Sequence, residues 1–147
     1  MFRQRTHYVL IAGLVSLLAA PAFAADVQYS TPLDPVAFDN STVKNNVGTG
    51  EITATLSGKT LTVTGKYSGL SSAATKAEVK IGPVMGVPGP VVGELKIPGG
   101  MSGDISGSIT LTSAQLASLN KGGVSVVINS EKAPNGNLWG WLQTAAQ

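Results

Sequence analysis

The chain has 147 residues and no cysteine, which excludes disulfides, thiolate metal sites, cysteine nucleophiles and a lipid-modified N-terminal cysteine. Its only histidine, His7, and both arginines, Arg3 and Arg5, lie in the first seven residues, so the remainder sets eight Lys against eight Asp and Glu and carries no net charge. A balanced body without arginine lacks the electrostatic footprint of a nucleic-acid partner.

Arg3, Arg5 and His7 precede the apolar run Tyr8 to Ala20, and Pro21 precedes the small-residue site Ala22-Phe23-Ala24. This order predicts an export signal over residues 1–24, cleaved after Ala24. The apolar run is shorter than the roughly 20 residues of a spanning helix, and nothing like it recurs, so no membrane attachment is expected after cleavage. The expected product is a soluble monomer of 123 residues, periplasmic or extracellular, the size of one domain.

Residues 25–48 are polar and rich in turn formers (Pro32, Pro35, Asn40, Asn45, Asn46) and read as an extended N-terminal arm with one short strand around Val27 to Ser30. The domain proper is expected over residues 49–147. From Gly50 the pattern is strict alternation: Ile52, Ala54 and Leu56 against Thr53, Thr55 and Ser57, then, after Gly58-Lys59, Leu61, Val63 and Tyr67 against Thr62, Thr64 and Lys66. That is a β-hairpin with one wet face. The same alternation sets Ala77, Val79 and Ile81 against Lys76, Glu78 and Lys80, and Ile105, Ile109 and Leu111 against Asp104, Ser106, Ser108 and Thr110. Val91 to Ile97, Val124 to Asn129 and Asn137 to Gln143 complete the strands, with glycines or prolines in every gap. Ser113 to Asn120 is the one helical candidate, capped by Thr112 or Ser113, with Leu116 and Leu119 on one side. Seven or eight short antiparallel strands predict an all-β fold, a Greek-key β-sandwich or flattened barrel with one short helix around residues 113–120.

With these strands laid out, the chain from about Gly50 to Leu142 resembles the CHRD domain, a module named from chordin and also found in microbial secreted proteins. The resemblance rests on ATLSGKTLTVTGKYSGLSSAATKA, on IGPVMGVPGP running into VVGEL, on SGDISGSITLTSAQLASLNKGG and on PNGNLWGWL. The family pattern A-H-x-H-x-G falls on Ala77-Glu78-Val79-Lys80-Ile81-Gly82, the pattern Y-V-N-x-H-T on Ser125-Val126-Val127-Ile128-Asn129-Ser130, and P-x-G-E-I-R-G-x-L on Pro134 to Leu142. The three histidine positions therefore carry Glu78, Lys80 and Asn129, and Trp139 stands for the arginine. By the alternation, positions 78, 80, 127, 129 and 139 share a face away from the core. The resemblance implies a polar patch there, reminiscent of the metal face of copper-zinc superoxide dismutase barrels and rebuilt in this chain.

Those substitutions decide the metal question. A lysine ammonium, an amide and one carboxylate make a poor donor set for copper or zinc, so neither a metal nor another cofactor is expected. Asp26, Asp34, Asp39 and Asp104 are too scattered for a calcium loop. No catalytic residue is assigned. A serine nucleophile lacks a histidine base, Ser72 to Lys76 misses the S-x-x-K spacing by one residue, and Glu51, Glu78, Glu94 and Glu131 fall on separate expected elements.

Trp139 and Trp141 sit at i, i+2 of one strand, on the face opposite Leu138 and Leu142. Two outward indoles form a flat aromatic platform for a sugar ring, a peptide or a protein, unless the arm covers them with Tyr29 or Phe38, or a bulge at Gly140 turns one inward. Glu78 and Lys80 read as solubilising charges on a wet strand face. The expected function is a non-enzymatic module binding a protein or polysaccharide through Glu78, Lys80, Val127, Asn129, Trp139 and Trp141. Its rivals are a hydrolase with paired carboxylates or a Ser-Lys dyad, and a structural subunit that donates its arm as a strand.

Overall fold

The computed structural model describes residues 24–37 and 39–145; Phe38 and the expected export signal, Ala24 apart, lie outside them. The elements are β1 (Val27–Pro35), β2 (Thr49–Ser57), β3 (Thr60–Ser68), β4 (Ala74–Ile81), β5 (Val91–Leu95), β6 (Gly103–Thr110), α1 (Ser113–Asn120), β7 (Val124–Ser130), β8 (Leu138–Trp141) and β9 (Gln143–Thr144). The strands pair antiparallel in the order β5-β4-β7-β8-β1-β2-β3-β6, with β9 beside β1. Paired backbone hydrogen bonds between Lys96 and Ser106 bring the two ends of this path together, so the sheet nearly closes into a flattened barrel.

Alternation decides which side chains fill it. In the β2–β3 hairpin, Leu56 opposes Leu61, Ala54 opposes Val63 and Ile52 opposes Gly65. The two-residue turn has positive φ only at Gly58, as a II′ turn requires. Ala77 and Val79 of β4, Leu95 of β5, Ile105 of β6, Val124, Val126 and Ile128 of β7 and Leu138 of β8 join them in one buried core. The helix begins with a capping box between Thr112 and Gln115 and buries Leu119, with Leu116 partly buried against the same core.

The N-terminal segment departs from expectation. Instead of a short strand at Val27 to Ser30 within an arm, β1 runs to Pro35 and pairs with β2 from Val27 to Leu33, burying Tyr29, Thr31 and Leu33. Its other edge pairs with β9 at Tyr29 and Ser30 and with β8 at Asp34 and Pro35. Pro32, which has no N–H to donate, sits in the gap between those two ladders, where a proline is tolerated. Both edges of β1 are thus engaged within its own chain. The last expected strand is likewise divided, into β8 and β9, and β5 ends at Leu95.

Candidate functional site

The outward positions of β4, β7 and β8 form a grid fixed by register. Glu78 stands opposite Val127, and Val127 opposite Trp139; Lys80 stands opposite Ser125, and Ser125 opposite Trp141. Lys76 opposite Asn129 begins a third row. Directly opposed residues share a face, so Glu78, Lys80, Val127, Asn129, Trp139 and Trp141 all lie on one side of the sheet. Neighbouring strands are ~4.8 Å apart, which puts the β4 charges roughly 10 Å from the β8 indoles, with Val127 and Ser125 between them.

That middle row is a buried floor. Val127 is 5% exposed and Ser125 is buried, although both point away from the core. β7 lies inside the sheet, with β4 on one side and β8 on the other, and every one of its residues is buried. The β4 wall is less wet than its alternating charges implied: only 12% of the Glu78 side chain and 26% of the Lys80 side chain are exposed. Asn129, itself 7% exposed, donates from Nδ2 to Glu78 Oε2 at 3.2 Å, and Lys80 Nζ stands 3.9 Å from the same oxygen. The Asn129 carbonyl oxygen is buried with no donor. Thr75, Lys76, Glu78, Lys80, Asn129, Pro134 and Asn135 line a cleft of about 390 Å³ here.

The β8 wall differs from a flat platform. The Trp139 and Trp141 rings lie 6.1 Å apart at an interplanar angle of 62°, an edge-to-face corner. The ring quadrupole favours that arrangement over parallel faces at this separation. Both indoles are part-exposed and stay on one face, because the pairing of β8 with β7 runs through Gly140 without a bulge. Tyr29 is in the core, paired with Ala54, and does not cover them; Phe38 lies outside the described residues.

Register also brings together two carboxylates expected on separate elements, since Glu78 is opposite Glu94 of β5. Each is matched to its own lysine: Lys80 stands 3.9 Å from Glu78, and Lys76 stands 3.9 Å from Glu94. The three positions implied as metal ligands by the resemblance do converge, but on a carboxylate, an ammonium and an amide. An ammonium beside the carboxylate already supplies the positive charge a metal would bring, so this donor set does not fit copper or zinc. Among the described residues, no three His, Cys, Asp or Glu side chains are grouped to hold a metal ion.

The polar support beneath the site is not visible in the alternation pattern. Asn137 is fully buried, accepting from the Ser130 hydroxyl at 2.8 Å and donating to the Val47 carbonyl at 2.8 Å. It thereby ties the end of β7, the start of β8 and the segment before β2. Nearby, Gly136 with φ +133° lies close to Val36 and Val127 and bends the chain into β8. The available signal was Ser130, which follows Val124, Val126 and Ile128 at the inward phase of β7 and needs a buried partner.

No curated protein and no solved structure matches the chain. The profile of the CHRD domain matches residues 29–142, from within β1 to just past β8, and so takes in every strand that builds this face. The chain belongs to the CHRD domain family.

Proposed function

We propose that the protein is an exported, non-catalytic binding module that engages a protein or polysaccharide through the outward face of β4, β7 and β8. The observation that carries this reading is the corner of two part-exposed indoles, Trp139 and Trp141, on the same sheet face as a cleft, lined from β4 and β7, whose Asn129 oxygen lacks a donor. Exposed aromatic surface next to oriented polar groups is the usual composition of a recognition site. Family membership supports a binding-type domain, because CHRD domains are not known as enzymes and are generally extracellular.

Capture of secreted proteins and polysaccharides by the wild type, compared with Trp139→Ala and Trp141→Ala, tests the reading. Binding is expected to fall in both variants. Robust turnover by the metal-free protein on a panel of hydrolase substrates would replace it with the hydrolase reading. Export is tested by mass spectrometry of the protein from its producing cells: Ala25 is the expected N-terminus, and an intact Met1 in a membrane fraction contradicts it.

A further inference from the structure

Resting on that reading, we infer that the trough between Glu78–Lys80 and Trp139–Trp141 takes a neutral, polyhydroxylated ligand, a glycan of one to three rings, in preference to a protein or a charged polymer. Four features of the face converge on this chemistry.

The first is charge. Lys76, Glu78 and Lys80 line one wall, Glu94 stands behind it on β5, and the four charges cancel, each lysine already matched to a carboxylate. An anionic ligand meets Glu78, and a cationic one meets Lys80. A hydroxyl both donates and accepts, so it suits a carboxylate and an ammonium at once.

The second is the buried amide. Asn129 lines the cleft, its Nδ2 is committed to Glu78, and its carbonyl oxygen has no donor. An acceptor left unpaired in a buried site is costly, and a ligand hydroxyl in the cleft relieves it after a small turn about χ2, a soft torsion in asparagine. The Glu78 contact fixes which end of the amide is which, because the reverse orientation would set two oxygens together.

The third is the shape of the aromatic wall. A pyranose has one apolar face and a polar rim, and an edge-to-face indole corner offers one ring face for stacking while the other ring closes the side. The fourth is size. The recess on the β4 side of the trough, lined by Glu78, Lys80, Asn129 and the Pro134-Asn135 turn and not by the indoles, measures about 390 Å³, which suits a small ligand, whereas a protein interface is built around a larger apolar centre. Among the described residues the exposed apolar side chains of Met85, Val87 and Met101 lie on loops outside the trough, and Val91, opposite Lys80 on β5, is a single exposed valine behind the charged wall.

The experiment is a glycan array carrying neutral and acidic oligosaccharides, probed with the protein purified from expression of the full chain. Wild type is compared with Trp141→Ala, Asn129→Ala and a Thr62→Val/Ser108→Ala double variant on the outward side of β3 and β6, across the barrel from the trough, each checked for an intact thermal melt. Trp141→Phe and Glu78→Gln keep the test alive if a truncation does not fold. The expected result is selective capture of neutral glycans, weakened about tenfold by Trp141→Ala or Asn129→Ala, since each removes one substantial contact. Glu78→Gln weakens capture less, Trp141→Phe retains most of it, and the β3–β6 double variant matches wild type. Preference for acidic glycans, or neutral binding unaffected by the trough variants, overturns the inference. A silent array with capture of a secreted protein that depends on Trp139 overturns the glycan assignment and leaves the binding-module reading standing. A silent array with no captured partner removes both.

Discussion

Asn129 donates its side-chain amide to Glu78 across 3.2 Å, from β7 to β4, while its own carbonyl oxygen stays buried without a donor. One contact thus both holds the β4 carboxylate in place and leaves an unmet acceptor beside it. The Lys80–Glu78 and Lys76–Glu94 pairs have the same separation, 3.9 Å, but the first is mostly buried and the second is 57% and 64% exposed. Lys80→Met, which strands a largely buried carboxylate, is therefore expected to cost about 1–2 kcal/mol, below the range for a fully buried pair because of its residual exposure. Lys76→Met is expected to cost less than about 0.5 kcal/mol. Urea denaturation of the two variants checks the ordering, and equal effects would show that burial of the Glu78 pair has no energetic weight.

Asn137 is fully buried beneath the site with both of its side-chain polar atoms hydrogen-bonded. Replacing it with Ala leaves the Ser130 hydroxyl and the Val47 carbonyl without their partner in a buried setting. The expected loss is about 2–4 kcal/mol, larger than that of Ser130→Ala, which breaks only one of the two hydrogen bonds. Chemical denaturation distinguishes the two.

Gly140 is constrained by proximity, since a Cβ there would lie 2.3 Å from the Pro32 carbonyl oxygen and 2.8 Å from Thr31. Gly140→Ala is expected to force β8 away from β1, with a loss of at least about 2 kcal/mol. The tryptophan environment should change in parallel, because Trp139 and Trp141 flank the displaced residue. Unaltered emission in a destabilised variant would contradict this coupling.

The turn after β1 gives a pH signature. The Asp39 carboxylate accepts from the Ser41 hydroxyl, from the Ser41 N–H at 2.8 Å and from the Thr42 N–H at 3.1 Å, which holds its pKa below the ordinary aspartate value. A folded-state pKa lower than the unfolded one stabilises above the unfolded value, near 3.9, and that contribution is lost as pH falls through the folded value. Asp39→Ala is expected to lower the melting temperature at neutral pH and to make no electrostatic difference once the pH has fallen below the folded-state pKa. A deficit that persists unchanged into acid would assign the effect to backbone geometry instead.

Chelator is expected to leave the melting temperature of the tag-free protein unchanged, and added zinc or copper should not raise it, because an ion bound only by the folded state would stabilise it. Elemental analysis provides the stoichiometry. Close to one copper or zinc per chain, with a chelator-induced drop in melting temperature, would refute the argument from Glu78, Lys80 and Asn129.

The legible part of this molecule is what period-two alternation encodes. It sorted Leu61 and Val63 from Thr62 and Thr64, and it put Glu78, Val127 and Trp139 on one face before any register was known. Alternation does not encode which strands are neighbours, so the pairing of Glu78 with Glu94 and the burial of Val127 emerged only from the fold. In β1 the pattern Tyr29, Thr31, Leu33 was present, but Pro32 and Pro35 made it read as a turn-rich arm. Their local signal was overridden by pairing partners about 110 residues away in β8 and β9. Likewise the angle between the indoles depends on ring packing, which spacing at i, i+2 leaves open.

Trp139 and Trp141 are the chain's only two tryptophans, so intrinsic fluorescence reports on the proposed face without any added label. The most direct measurement is a titration of the protein with the strongest array glycan, or with the captured protein if the array is silent, followed simultaneously by calorimetry and by tryptophan emission with acrylamide quenching. One saturating curve is expected in both signals, with the indoles shielded from quencher as the site fills. Calorimetric binding that leaves emission and quenching unchanged would place the partner elsewhere and contradict the proposed site.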